Sequence, residues 1–166
     1  MEKQNTRILV VDDHQLFREG LSALLNASPG VEVAGEAATG KEAIAQVDAL
    51  NPDVVLMDIQ MPDMNGIEAT RRVLASHPQT GVIMLTMLED DDSLFAAMSA
   101  GARGYILKGA DKAEVLQTVM AVAEGQALFG PAIAVRLTTF FQRGSEVEKS
   151  VPPFPELTDR EREVLT

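Results

Sequence analysis

Five short aliphatic runs punctuate the chain: Ile8-Leu9-Val10-Val11, Val31-Glu32-Val33-Ala34, Val54-Val55-Leu56-Met57, Val82-Ile83-Met84-Leu85 and Tyr105-Ile106-Leu107. Their starts are spaced by 23, 23, 28 and 23 residues. Four are nearly continuous in apolar character, the pattern of strands buried on both faces of a parallel sheet; only the second alternates, as an edge strand does. Between the runs the apolar residues recur at helical spacing. Leu16, Phe17, Leu21, Leu24 and Leu25 share one face, as do Ala43, Ile44, Val47 and Leu50. Leu94, Phe95 and Met98 form a shorter stripe, and Val115, Leu116, Val119 and Met120 a longer one. Helix starts are marked by Thr39 to Glu42, Asn65 to Glu68 and Asp111 to Glu114. In each, a short polar side chain can accept from orphan backbone N–H groups, and a Glu three residues on can reach back. Strand alternating with helix five times predicts an α/β sandwich with right-handed crossovers over residues 1–125.

After Glu124 the pattern changes. Residues 132–141 predict one more helix, with Ile133, Leu137 and Phe140 or Phe141 on its apolar face. Residues 142–155, from Gln142 to Pro155, have the polar and proline content of a linker, so 126–155 reads as an added helix and linker. From 156 to 166 a further helix opens on another capping box, Thr158 to Glu161, and stops barely begun at Thr166. That terminus leads us to expect a second domain beyond it.

Charge narrows the function. The 166 residues carry 25 acidic and 14 basic side chains, a net charge of -11. Holding nucleic acid by its phosphates needs clustered Lys and Arg, so this chain is not expected to bind DNA itself. The absence of cysteine excludes disulfides and thiolate chemistry and suits a reducing compartment. The polar N-terminus lacks a signal-peptide pattern, and no apolar run approaches the ~20 residues of a membrane helix. A cytoplasmic location, with no membrane partner, is the expectation.

In open α/β sheets ligands bind beyond the carboxyl ends of the strands, where the winding reverses. The first run ends in Asp12-Asp13, the third in Asp58, the fourth in Thr86 and the fifth in Lys108. With strand order 2-1-3-4-5, three carboxylates would converge beside a hydroxyl and an ammonium. Such carboxylates repel unless a cation compensates, and an oxygen-rich site with few protein ligands suits Mg²⁺. A carboxylate can attack phosphorus to give an acyl phosphate, while Lys⁺ and a hydroxyl hold the phosphoryl oxygens. The set points to phosphoryl capture on an aspartate.

Taken singly, each residue has a plainer explanation. Asp12 or Asp13 could cap the next helix, Asp58 could start a loop, Thr86 could be structural and Lys108 solvated. The coincidence of all five at strand ends carries the argument. His14 and His77, the only histidines, are far apart in sequence, so a histidine-based metal site is not expected; His14 reads as a first-turn surface residue. Met residues read as core filler, Arg71-Arg72 as an exposed helix face and Glu89-Asp90-Asp91-Asp92 as a solvated helix start. The turn after the first run has neither G-x-G-x-x-G nor G-x-x-x-x-G-K-[ST], which removes dinucleotide and P-loop binding. No G-x-S-x-G elbow appears.

Val10-Val11-Asp12-Asp13, Leu56 to Gly66, Leu85-Thr86 and Gly104-Tyr105-Ile106-Leu107-Lys108 together resemble the receiver domain of two-component response regulators. The resemblance covers about residues 7–125 and implies a flavodoxin-like (βα)5 doubly wound sheet of order 2-1-3-4-5. Leu157 to Leu165 is similar to the start of the LuxR-type helix-turn-helix domain of the NarL/FixJ subfamily. The resemblance implies that Asp58 is the phospho-acceptor, charged by a sensor histidine kinase or a small phosphodonor. Asp12, Asp13, Asp58 and the backbone carbonyl of Gln60 would hold Mg²⁺, and Lys108 would bind the phosphoryl group. Thr86 would shift toward it and Tyr105 rotate inward; the alternative for Tyr105 is a half-buried aromatic on an edge strand. Phosphorylation would promote a homodimer, through the first and fifth helices or through the fourth helix, fifth strand and fifth helix. DNA would be bound only by the output domain beyond Thr166.

Lys108 is followed by Gly109 where many receivers have Pro, so a cis peptide is not assumed. Two rival readings stand beside the receiver. One is a phosphorylation-independent interaction module, disfavoured by the complete acidic set. The other is a Mg²⁺-dependent phosphohydrolase, disfavoured because Gln60 occupies the position expected of a general acid.

Overall fold

In the computed structural model the description covers residues 4–87 and 91–129, together with Val135, Thr138, Thr139 and Gln142. Ten elements alternate in the expected order: β1 (Thr6–Val11), α1 (Gln15–Asn26), β2 (Val31–Ala37), α2 (Gly40–Leu50), β3 (Val54–Asp58), α3 (Gly66–Ser76), β4 (Gly81–Thr86), α4 (Asp91–Ser99), β5 (Gly104–Leu107) and α5 (Lys112–Ala123). An eleventh, β6 (Leu128–Phe129), follows. The helix expected over 132–141 falls largely outside the described residues, and the linker from 143 and the helix start at 156–166 fall wholly outside them.

The strands form one parallel sheet in the order β2-β1-β3-β4-β5-β6. The expected order 2-1-3-4-5 holds for the first five, and β6 adds a strand beyond them. Two residues suffice for this addition: Gly125, at φ +90, ends α5 in the left-handed region, and the Leu128 N–H donates to the Arg103 carbonyl at 2.8 Å. Its apolar signal, Leu128-Phe129, is too short to register as a strand by periodicity. β5 is therefore not an edge, and Tyr105 is buried at 1% exposure rather than half-buried.

Burial on both faces explains the apolar runs. Ile8, Val10, Leu56, Ile83 and Leu85 face Leu21 and Leu25 of α1 and Val115 and Val119 of α5. Leu9, Val11, Val55, Met57 and Met84 face α2, α3 and α4 through Val47, Val73 and Leu94. All five residues of β3 are buried, as the central position requires.

The three caps form as expected in their first half. Thr39 accepts from the Glu42 N–H at 3.1 Å, Asn65 from Glu68 at 2.9 Å and Asp111 from Glu114 at 2.9 Å. Glu42 reaches back to the Ala38 N–H at 2.9 Å. Glu68 turns instead to Arg71 and Arg72, both at 3.1 Å, on an exposed face where two guanidinium groups compete successfully for it. This winding positions the site: from β1 the chain passes to β2 on one side and later to β3 on the other, so the ends of β1 and β3 flank the crevice.

Candidate functional site

The Asp12-Asp13 turn is shaped by its own side chains and by α1. Asp12 is fully buried, and its Oδ1 accepts the His14 N–H at 2.8 Å. His14, not either aspartate, occupies the N-cap of α1 and makes no side-chain cap bond. Neither aspartate is the N-cap; Asp12 Oδ1 is committed to the His14 N–H, while Asp12 Oδ2 and the Asp13 carboxylate are left to the crevice. Arg18, one turn along α1, donates Nη1 to the Asp12 carbonyl at 2.7 Å and pairs through Nε with Glu36 of β2 at 2.9 Å. It ties the turn to two strands without touching a site carboxylate.

Asp58 ends β3 and is 3% exposed. Its Oδ1 accepts the Gln60 N–H at 3.3 Å, while Oδ2 accepts no hydrogen bond. The backbone beyond it folds back: Gly66 donates its N–H to the Ile59 carbonyl at 2.7 Å. A Cβ at Gly66 would lie 2.1 Å from the Asp58 carbonyl oxygen, so only glycine permits this approach. Asp63, in the same loop, accepts the Gly40 and Lys41 N–H groups at 3.0 and 3.1 Å. These bonds hold its carboxyl below the usual range and clamp the loop to the start of α2.

Lys108, just past β5, is 8% exposed along its side chain and reaches across the crevice. Its Nζ lies 2.7 Å from Asp12 Oδ2 and 3.4 Å from Asp58 Oδ2. It also sits 4.8 Å from the centre of the Phe17 ring, a cation–π contact that helps hold a buried ammonium. The peptide after it is trans, as are all those among the described residues. Its backbone N–H donates to the Thr86 carbonyl at 2.8 Å. Thr86 is 1% exposed at the end of β4, and Tyr105 pairs in register with Met84, two residues before it. Period-two geometry places Thr86 and Tyr105 on the same sheet face, toward α4.

The electrostatics explain the chemistry such a site can do. Burial, and next the Asp12 charge, raise the Asp58 pKa from 3.8 to about 6, against the opposing pull of Lys108. Asp12, Asp13, Asp58 and His14 bring one donor atom each within 4.8 Å of one another. Three carboxylates against one ammonium leave two negative charges, which suits a dication; the buried Asp58 Oδ2 without a hydrogen bond fits the same demand.

The structure thus brings together Asp12, Asp13, Asp58 and Lys108, with Thr86 adjoining and Tyr105 behind it. Gln60 adjoins through its backbone N–H. His14 is the exposed first-turn residue that the sequence leads one to expect, at 69% side-chain exposure, and its Nδ1 lies 3.2 and 3.3 Å from Asp12 and Asp13. The sequence does not single out Arg18, Phe17 and Asp63, because their roles arise from contacts between elements.

Comparison with known proteins gives the same picture. The family model described as "Response regulator receiver domain" matches residues 8–120. The response regulator GacA of Pseudomonas viridiflava is 40% identical over 158 residues, covering 95% of this chain and 72% of that protein. A LuxR-family two-component response regulator from Aurantimonas sp. SI85-9A1 superposes with a TM-score of 0.78 at 35% identity, covering 82% of this chain and 97% of that one. CheY in a CheX-CheY-BeF3-Mg²⁺ complex from Borrelia burgdorferi gives 0.65 at 31%, over 70% and 87%. Among the described residues no helix is long and apolar enough to cross a membrane. Fold, acidic crevice and sequence relatives agree: the chain belongs to the response regulator receiver family, a family of signalling proteins.

Proposed function

We propose that this chain accepts a phosphoryl group on Asp58, from a sensor histidine kinase or a small phosphodonor, and that Mg²⁺ assists. The observation that carries the reading is the placement of Asp58: buried, at the switch point, with two other carboxylates and Lys108 around it. An Asp58 carboxylate oxygen forms the new bond to phosphorus as the bond from phosphorus to the donor breaks, and the donor leaves with that electron pair. Lys108 faces the transferred oxygens and offsets their charge, at the cost of loosening its contact with Asp12. Asp12, Asp13, Asp58 and the Gln60 carbonyl are the residues that would hold Mg²⁺, which when bound neutralises phosphoryl charge. The Mg²⁺ named for the Borrelia complex supports the choice of ion.

Thr86 closes on the phosphoryl group and Tyr105 reads its position from the same sheet face. Tyr105 is 1% exposed in this structure, and the reading is that the phosphoryl group biases the ring toward this inward position. The switch is read out as a homodimer. Of the two candidate faces, the α1–α5 side is supported by an apolar cavity of about 310 Å³ lined by Phe17, Leu21, Leu107 and Ala110, with Leu16 beside it 86% exposed. Residues 1–125 form the receiver, 126–155 an added helix and linker, and 156–166 the start of a helix-turn-helix output domain that binds DNA for transcriptional control. The location is cytoplasmic.

Intact mass after incubation with acetyl phosphate, with and without Mg²⁺, tests this. One added phosphoryl group that requires Mg²⁺ is expected. No adduct in a folded sample under either condition would return the chain to the phosphorylation-independent module.

A further inference from the structure

The feature left over at the site is His14. An ordinary surface histidine at a helix start points to solvent, and its ring is 69% exposed along the side chain. Nevertheless Nδ1 lies 3.2 Å from Asp12 Oδ1 and 3.3 Å from Asp13 Oδ1. Two ligand atoms about 2.1 Å from one ion, at about 90 to 109° to each other, lie about 3.0 to 3.4 Å apart. The imidazole is already at ligand spacing from two carboxylates. The whole donor set lies within 4.8 Å, against ~4.2 Å for trans ligands on one ion. Closing it takes roughly half an ångström, which exposed Asp13 and His14 can supply by side-chain motion. The buried Asp58 Oδ2 faces the Lys108 ammonium at 3.4 Å, and Asp12 Oδ2 faces the same ammonium at 2.7 Å, so one fixed cation is shared among the three carboxylates of the crevice.

We propose that His14 is a further protein ligand at this site, and that it gives the crevice a preference for a first-row transition dication, Ni²⁺ or Co²⁺ being suitable probes, over Mg²⁺. This rests on reading the Asp12, Asp13 and Asp58 cluster as a cation site. The chemistry is that of donor softness: Mg²⁺ takes oxygen ligands and keeps its waters, whereas neutral imidazole nitrogen suits Ni²⁺, Co²⁺ and Zn²⁺. Without His14 the protein offers only oxygens. With it, one nitrogen joins three carboxylates at a position solvent can reach.

The test is calorimetric titration of Ni²⁺ and Mg²⁺ into the full chain, wild type, His14→Ala, His77→Ala and Asp12→Asn, with the imidazole NMR resonances followed in parallel. Only two histidines exist, so each signal is assigned by its own variant. His14→Ala is expected to weaken Ni²⁺ by on the order of tenfold or more without lowering Mg²⁺ affinity. His77→Ala should change neither, and Ni²⁺ should broaden the His14 signals first. Equal weakening of both ions by His14→Ala, no weakening of Ni²⁺, or Ni²⁺ binding that follows His77 would each overturn the proposal. Mg²⁺ affinity untouched by Asp12→Asn would instead overturn the underlying reading of the cluster.

Discussion

Replacing Asp58 with Asn should stabilise the cation-free protein, although it destroys the proposed acceptor. Asp58 carries its charge at a cost: burial and the neighbouring Asp12 raise its pKa from 3.8 to about 6. Each pKa unit corresponds to ~1.36 kcal/mol, so the rise amounts to about 3 kcal/mol of folding free energy lost at neutral pH, before relaxation reduces it. The sign follows from proton binding. Below the ordinary carboxylate pKa the side chain is neutral folded and unfolded, and the cost is absent. As pH rises from 3.8 to about 6, the unfolded chain ionises first and stability falls; above that the cost is constant. Asn keeps the carbonyl that accepts the Gln60 N–H at 3.3 Å and removes the charge. Urea unfolding in EDTA should therefore show Asp58→Asn more stable than wild type by about 1 to 3 kcal/mol at pH 7, with the gap closing near pH 4. Saturating Mg²⁺ should narrow or reverse the gap, because it stabilises only the protein that binds it. A variant equally or less stable than wild type at pH 7 in EDTA would refute the electrostatic reasoning.

Other expectations follow from the same geometry. Lys108→Ala removes the cation that lowers the Asp58 pKa, so carboxyl ¹³C shifts should place that titration above about 6. Gly66→Ala drives a methyl into the Asp58 carbonyl, and thermal unfolding should show a loss of about 1 to 3 kcal/mol together with weaker Mg²⁺ binding. Asp63→Asn weakens the clamp on α2. Because the Asp63 pKa is lowered in the fold, its contribution is present above the ordinary carboxylate pKa and lost as pH falls through the lowered value; the variant's acid unfolding curve should flatten there. Leu16→Glu should leave phosphorylation intact and abolish the mass increase that light scattering shows on phosphorylation.

Five strands and five helices were legible because each strand buried on two faces reads as an apolar run, and the helices show apolar stripes at helical spacing or, for α2, α3 and α5, open on a short polar cap. β6 escaped because two residues cannot show a period, although the carbonyl of Arg103 gives Leu128 its ladder partner. At the site, Asp12, Asp13, Asp58, Thr86 and Lys108 were readable from their positions at strand ends. The site's supporting residues were not. Phe17 lies in a helix stripe that reads as core, yet its ring faces Lys108. Arg18 reads as a surface residue until α1 docks beside β2 and brings it to Glu36. Thr39 explains the start of α2 locally, but the carboxylate at Asp63 adds two bonds from 22 and 23 residues away.

The most direct test of the account is identification of the modified residue. Borohydride reduces an aspartyl phosphate to homoserine, so peptide mass spectrometry of protein treated with acetyl phosphate, Mg²⁺ and then borohydride reads the acceptor position. Homoserine at position 58 alone is the expected result. Homoserine at 12 or 13, or phosphoryl adduct surviving on Asp58→Asn, would contradict the assignment.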